Sequence, residues 1–309
     1  MKLIKPKFWD STINLFSILL FPLSLAYLLF IFFKKKITKK HIFKIPIICV
    51  GNIYIGGTGK TPTSILLANE LFKLGKKPVI IRKFYKGHKD EFELIKSSFE
   101  HLIISKNRIN ALREAESSNF NIAILDDGLQ DYKIKKNFNI VCFNQRQLIG
   151  NGMVLPAGPL RESLSSIKLA DIVIINGNKD KNFEEKLYTI NNKLEIFYSK
   201  YKAINLDEFK NKKLLAVAGI GNPENFFTLI KENNLVIAKK LVFPDHYQFS
   251  KEEIQDIIRE AESKNYKIIM TEKDYFKIKD YNFEKIHFLK ISLEINRKQE
   301  LLKKINQYD

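Results

Sequence analysis

The stretch that most constrains this chain is Gly51-Asn52-Ile53-Tyr54-Ile55-Gly56-Gly57-Thr58-Gly59-Lys60-Thr61-Pro62. An apolar, β-branched run at 45–50 precedes it and a helical pattern at 61–74 follows it. A buried strand, a glycine-rich turn and a helix, in that order, are the setting of a P-loop. Glycines let the backbone turn tightly and aim its N–H groups at phosphate oxygens. The helix N-terminus adds partial positive charge. Gly56, Gly57, Thr58, Gly59, Lys60 and Thr61 are therefore the predicted phosphate cradle, in which Lys60 would bridge the terminal phosphates and the Thr61 hydroxyl would ligate Mg²⁺. The strict G-x-x-x-x-G-K-[ST] spacing calls for glycine at position 54, where this chain has Tyr54; the GGTGKT core is intact.

A P-loop needs a sheet to sit on. Strand-like runs at 78–82, 102–105, 121–125, 138–143 and 171–176 alternate with helical stretches, including one at 108–117. That alternation predicts a mostly parallel sheet covered on both faces. Residues 177–210 are polar, with a strand-like EIFYSKY in the middle. A second α/β series follows, with strands at 214–218, 235–242, 267–270 and 286–291 and helices at 223–232, at 250–264 and at the end of the chain. Ser250 with Glu253 is a capping box that marks one helix start. The expected fold class is α/β: a P-loop NTPase-like parallel-sheet domain plus a smaller C-terminal α/β domain, with an N-terminal membrane helix. The expected division is an anchor with basic flank at 1–40, the P-loop domain at 41–190, a β linker at 191–210 and the second domain at 211–309.

The run Asn121-Ile122-Ala123-Ile124-Leu125 ends in Asp126-Asp127. An apolar strand ending in carboxylates delivers oxygens at the sheet edge beside the P-loop, where Mg²⁺ sits. Strand alternation forbids both aspartates from pointing one way while the strand continues.

From Ser11 to Phe33 no residue is charged, a run of 23 positions. As a helix it is about 34 Å long, against about 30 Å for a bilayer core. Its one proline, Pro22, is tolerable in a membrane helix. The chain carries 52 Lys+Arg against 34 Asp+Glu, net +18, and eight lysines with one aspartate lie in its first forty residues. Nucleic acid, an anionic membrane or a phosphorylated substrate would each suit such an excess; its clustering beside an apolar span favours the membrane surface. Lysines 34, 35, 36, 39 and 40 follow the span and predict a cytoplasmic C-terminal body. The only two cysteines, Cys49 and Cys142, sit in apolar runs and read as buried core thiols rather than a disulfide. His41, His88, His101 and His287 show no ligand spacing, so no zinc site is expected.

The segments GNIYIGGTGKTP, DDGLQ (126–130), NGMVLPAGPLRE (151–162), FPDHYQF (243–249) and MTEKD (270–274) occur in this order. Order and spacing resemble the tetraacyldisaccharide 4′-kinase family of lipid A biosynthesis over nearly the whole chain. The resemblance implies a bacterial inner-membrane enzyme with its body in the cytoplasm. It would transfer the γ-phosphate of ATP, with Mg²⁺, to the 4′-hydroxyl of a lipid A disaccharide 1-phosphate. It implies Asp90 and His246 as the unit that accepts the hydroxyl proton, with Lys60 also catalytic. A carboxylate that orients a histidine and raises its basicity is a sound general base.

Gln130 is a candidate nucleotide contact. Arg161 would pair with a phosphate oxygen or form a loop salt bridge. Glu162 joins Thr61, Asp126 and Asp127 as a candidate metal ligand. In TEKD, Thr271, Lys273 and Asp274 would help bind nucleotide, or Thr271 would cap a helix. Three departures stand out: Ile81-Arg82-Lys83-Phe84-Tyr85 replaces the family's Ser-Arg-Gly-Tyr motif, Asp131 stands where a histidine follows DDGLQ, and Tyr247 replaces a second histidine. The expected partners are the lipid substrate and inner-membrane lipids, with no nucleic acid, and a monomer is expected. The competing reading is a P-loop ATPase or GTPase of the chaperone or switch type, which GGTGKT and the aspartate pair fit equally well.

Overall fold

The computed structural model of the chain describes residues 6–10, 14–245 and 247–307. In chain order its first elements are α1 (Leu15–Ile37), β1 (Ile47–Gly51), α2 (Lys60–Lys73), β2 (Pro78–Lys83), α3 (Lys89–Ser98), β3 (Leu102–Ser105), α4 (Arg108–Ser117) and β4 (Ile122–Asp126). Next come β5 (Phe138–Asn144), β6 (Ile172–Asn176), α5 (Lys181–Tyr188), β7 (Glu195–Ala203), β8 (Lys213–Ala218), α6 (Pro223–Glu232) and β9 (Val236–Val242). The chain ends with α7 (Lys251–Ser263), β10 (Lys267–Thr271), α8 (Glu272–Ile278), β11 (Ile286–Leu289), β12 (Ile291–Ile295) and α9 (Lys298–Asn306).

Two compact units divide the chain. The first takes in Met1–Lys83, His101–Lys200 and Ile295–Asp309; the second takes in Phe84–Glu100 and Tyr201–Glu294. The sequence expects a linker at 191–210; by contacts, the chain crosses from the first unit to the second between Lys200 and Tyr201. The two further exchanges have no compositional mark: 84–100 groups with the second unit and 295–309 with the first. The run 286–291, expected as one strand, breaks at Lys290 into β11 and β12, which belong to different sheets.

The larger sheet has the order β12-β7-β6-β5-β1-β4-β2-β3. Its strands from β3 through β7 pair in parallel. The chain moves outward from β1 to β2 and β3, returns as β4 beside β1, then continues as β5 on the other side of β1. The carboxyl edge at such a reversal is where open α/β sheets bind ligands. Along one stretch of the sheet Ile47, Cys49, Val79, Ile81, Ala123 and Leu125 pack with Ala111, Leu112 and Ala115 of α4. Along the next, Val141, Phe143, Val173 and Ile175 pack with Phe183 and Leu187 of α5 and with Tyr27 and Leu28 of α1. Both cysteines are free and buried, and burial pushes Cys49 up to about 11 and Cys142 to about 12.

The 23-residue α1 is long and apolar enough to cross a membrane by length and composition. It is not a free-standing span, however. One stripe of it, Ser17, Ser24 and Ile31, is buried. Asn151 Nδ2 donates to Ser17 Oγ at 3.1 Å. Ser24 Oγ donates to the Val154 carbonyl at 2.9 Å and accepts from Ala157 N at 2.9 Å. The opposite face leaves Phe16, Leu19, Leu23, Phe30 and Phe33 more than half exposed. The small serines let the helix approach closely, and Ser24 satisfies two backbone groups of the loop.

In the second unit the sheet runs β11-β10-β8-β9, parallel throughout. Alternation along β8 sends Leu214, Ala216 and Ala218 to α6 and Leu215 and Val217 to α7. The expected capping box closes the start of α7: Glu253 N donates to Ser250 Oγ at 3.1 Å and Ser250 N donates to Glu253 Oε2 at 2.8 Å. Within this unit α3 packs on α8. No helix is read from the sequence at α3; its buried residues are Phe92 and Ile95, which share one face, and Asp90.

Candidate active site

The P-loop connects β1 to α2 in the first unit. Gly56 and Gly59 have φ of 116° and 90°, a region that a residue with a Cβ enters at a cost. Gly59 caps α2 from that left-handed conformation, so the helix begins at Lys60. Asn52 braces the loop from inside, its Nδ2 donating to Thr58 Oγ1 at 3.0 Å and to the Gly56 carbonyl at 3.3 Å. Gln130 Nε2 in turn donates to the Asn52 carbonyl at 2.9 Å. In this structure Gln130 thus supports the loop backbone.

Strand register brings Asp126 level with Val50 of β1 and Arg82 of β2. Asp126 ends β4, and Asp127 then takes φ 56° while its N–H donates to the Val50 carbonyl at 2.9 Å. That left-handed step breaks the alternation, so both carboxylates reach the first turn of α2. Thr61 Oγ1 lies 3.0 Å from Asp126 Oδ2, and Ser64 Oγ lies 3.2 Å from Asp126 Oδ1. Lys60 Nζ lies 3.7 Å from Asp127 Oδ1. Arg161 Nη1 donates to both Asp127 oxygens, at 3.1 and 3.2 Å. Burial works against the Asp127 carboxylate, but the charges of Lys60, Arg161 and Arg82 outweigh it and hold the group at about 2.

Arg82, at the end of the apolar β2, is buried, ion-paired with Asp126, and donates from Nη1 to Thr61 Oγ1 at 3.0 Å. Arg108, also buried, donates to the carbonyls of Asp126 and Asp127 at 3.0 and 2.8 Å. Neither arginine carries a role in the sequence reading. The signal was a lone arginine in each of two apolar settings, PVIIR and RINAL.

The loop 151–162 lies against the approach to the P-loop. Ile55 N donates to the Pro159 carbonyl at 2.9 Å, and Arg161 N donates to the Ile53 carbonyl at 2.6 Å. Helix α1 holds the far side of the same segment, with Tyr27 OH donating to the Arg161 carbonyl at 3.0 Å.

Sequence comparison matches residues 16–308 to the family described as tetraacyldisaccharide-1-P 4′-kinase. The chain belongs to that family. A tetraacyldisaccharide 4′-kinase of Pelagibacter ubique is 43% identical over 309 residues, covering 99% of this chain and 98% of the relative. One from Rickettsia bellii is 34% identical over the full length of both chains. A crystal structure of LpxK from Aquifex aeolicus, described as an "apo" form in complex with ATP, has TM-score 0.72 at 24% identity, covering 94% of this chain and 99% of that one. These matches identify a kinase family, and the fold class expected from sequence is the one observed. The switch-type reading is set aside.

The family's motifs fall in several places in this structure. Glu162 is 3% exposed and ion-paired with Lys35 of α1 rather than with the P-loop. Among the described residues, no three or more His, Cys, Asp or Glu side chains gather into a group able to hold a metal by themselves. Asp126 faces Arg82, Asp127 faces Lys60 and Arg161, and Glu162 faces Lys35.

In the second unit, Asp90 of α3 is buried, and Lys273 Nζ of α8 lies 3.7 Å from it. The same ammonium is 3.3 Å from Glu91 and 3.2 Å from Asp245. His246 lies outside the described residues. Thr271 is the helix cap of α8: its Oγ1 accepts from Asp274 N at 3.1 Å. Asp274 is turned inward, accepting from Gly219 N at 2.7 Å and from Lys277 at 2.5 Å. Thr271 and Asp274 are thus committed to local structure.

Proposed function

We propose that this protein is a lipid kinase that transfers the γ-phosphate of ATP to the 4′-hydroxyl of a tetraacyldisaccharide 1-phosphate, forming lipid IVA. One observation carries the reading within this kinase family: consecutive carboxylates, Asp126 and Asp127, meet consecutive P-loop residues, Thr61 and Lys60.

The donor side follows from that geometry. Backbone N–H groups from Gly56 to Thr61 cradle the phosphates, and Lys60 and Arg161 neutralise charge on the transferring group. Both cations face Asp127 in this structure, so Asp127 holds them in readiness. Thr61 Oγ1 beside Asp126 fits a Mg²⁺ site of the kind completed by phosphate oxygens and water, in which few protein ligands are needed. When bound there, the ion would screen the charge on the phosphates. Glu162 and Asp127 are further candidate ligands on the strength of the family motif.

On the acceptor side, the 4′-oxygen forms a bond to the γ-phosphorus as the bond from that phosphorus to the β,γ-bridging oxygen breaks. The hydroxyl proton passes to Asp90, with His246 as its partner in the motif. The substrate is itself anionic and acylated. That chemistry suits α1, whose exposed apolar face would enter the cytoplasmic leaflet of the inner membrane while its serine stripe stays on the protein. We read residues 1–40 as this membrane-facing element and the basic flank after it as its contact with anionic lipid.

The test is incubation with γ-labelled ATP, Mg²⁺ and the disaccharide 1-phosphate in detergent micelles. Label should move to the lipid, and Lys60→Ala should abolish the transfer. ATP hydrolysis without labelled lipid would overturn the reading.

A further inference from the structure

The buried charge cluster of the second unit contains a group with no role in the reaction described so far. Lys273 comes from the first turn of α8 and is 17% exposed. It is enclosed by three carboxylates, at 3.7 Å from Asp90, 3.3 Å from Glu91 and 3.2 Å from Asp245. We infer that Lys273 is a positioning residue for proton transfer: its ammonium keeps Asp90 ionised and aimed, so that Asp90 can accept the substrate's proton near neutral pH. The inference rests on the reading of Asp90 as proton acceptor and adds how that acceptor is kept competent.

The physical need is plain. Asp90 is 1% exposed, and a carboxylate removed from water takes up a proton unless a cation offsets the burial. Glu91 and Asp245 make matters worse, since neighbouring negative charges also favour protonation. The Lys273 ammonium reaches all three. Burial works against the Lys273 ammonium, but Glu91, Asp245 and Asp90 together hold its pKa above the ordinary lysine value. It therefore stays charged throughout the range in which the enzyme works.

Other charges lie around the cluster. His88, before α3, lies 3.0 Å from Glu91 Oε2. Lys89 pairs with Asp280 at 2.6 Å. Lys277, one turn beyond Lys273, is turned to Asp274 and to the Gly219 carbonyl at 3.0 Å. Glu93 on α3 and Glu272 on α8 complete the ionisable groups of these two helices near the cluster, and His246 follows Asp245 in the chain. Lys273 thus lies within 3.2–3.7 Å of all three carboxylates.

The experiment measures kcat/KM for the lipid acceptor from pH 5.5 to 9.5 in micelles, for the full-length protein and four variants. In Lys273→Met the acidic limb should move up by about one pH unit or more, with the rate recovering at alkaline pH. Lys273→Arg should restore the wild-type limb. Glu91→Gln, which keeps Lys273 but removes a repelling charge, should move the limb down. The limb belongs to the coupled cluster, so its displacement is the quantity to read. A uniform loss across all pH values in Lys273→Met, or an Arg variant no better than Met, would make Lys273 merely structural and overturn the inference. If Lys273→Met does not fold, Glu91→Gln decides: a downward limb supports the inference and an unmoved one overturns it. Asp90→Asn separates the two levels, because wild-type activity in that variant overturns the proton-acceptor reading itself.

Discussion

The Thr61 hydroxyl stands 3.0 Å from a carboxylate oxygen of Asp126. A hydroxyl from the helix start and a carboxylate from a neighbouring strand end form a two-point seat for a hard cation. Thr61→Ser keeps the hydroxyl and should retain most activity. Thr61→Ala removes it and should raise the Mg²⁺ concentration needed for half-maximal rate by about tenfold, a loss equivalent to about 1.4 kcal/mol. A Mg²⁺ titration of the transferase rate at fixed ATP checks this. An unchanged Mg²⁺ requirement in Thr61→Ala would remove Thr61 from the cation seat.

Asp127 links acid stability to the same loop. Its carboxyl is held at about 2 in the folded protein against an ordinary 3.8, because Lys60, Arg161 and Arg82 outweigh the burial that would raise it. A depressed folded value stabilises the fold above the unfolded value and loses that stabilisation as pH falls from about 4 towards 2. For a group 22% exposed the contribution is about 2 kcal/mol at neutral pH, as an upper figure. Asp127→Asn should therefore lower ligand-free stability at pH 7 and converge with the wild type near pH 2. Urea denaturation across that range measures the gap, and a pH-independent gap would mean that the charges do not stabilise the fold.

Arg82 and Asp126 form a buried ion pair in which neither side chain exceeds 7% exposure. Removing one partner leaves an uncompensated buried charge and typically costs about 3–5 kcal/mol. Arg82→Met should lose stability on that scale. The double variant Arg82→Met/Asp126→Leu should lose less than the sum of the two single variants. Equal, additive losses in urea unfolding would show that the two side chains do not compensate each other.

What was legible in the sequence was what is local. The run into GGTGKT, the strand ending at Asp126, the helix at 108–117 and the Ser250–Glu253 box each carry their cause within about a dozen residues. The left-handed step at Asp127 was not legible, because nothing in Leu-Asp-Asp-Gly marks where the strand ends. Nor was the partner of Glu162, which is Lys35, 127 positions away. Asp90 in KGHKDE reads as a solvated charge until α3 buries it on α8. The break between β11 and β12 at Lys290 separates two sheets, and nothing in the run FLKISL announces which sheet each half joins. Ser17 and Ser24 were visible as polar interruptions of the apolar segment. Their seven-residue spacing marks a docked face, which the count of uncharged positions conceals.

That docked face gives α1 two sides with separable tasks. Ser24 is 1% exposed and makes two 2.9 Å hydrogen bonds to the loop 151–162. Ser24→Ala leaves the Val154 carbonyl and Ala157 N–H without that partner and should cost about 1–3 kcal/mol. It should also lower transferase activity, because the same loop carries Arg161 to Asp127. Leu19 and Phe30, on the opposite side, are 65% and 62% exposed. Replacing both with serine should leave the unfolding free energy within about 0.5 kcal/mol of wild type, since exposed positions touch little within the fold. The same change should weaken sedimentation with anionic vesicles by an order of magnitude or more, because it removes apolar area from the lipid-facing side. Urea unfolding paired with vesicle sedimentation distinguishes the faces. If Leu19→Ser/Phe30→Ser still sediments as the wild type does, the lipid contact is made elsewhere, and α1 is held to the protein alone.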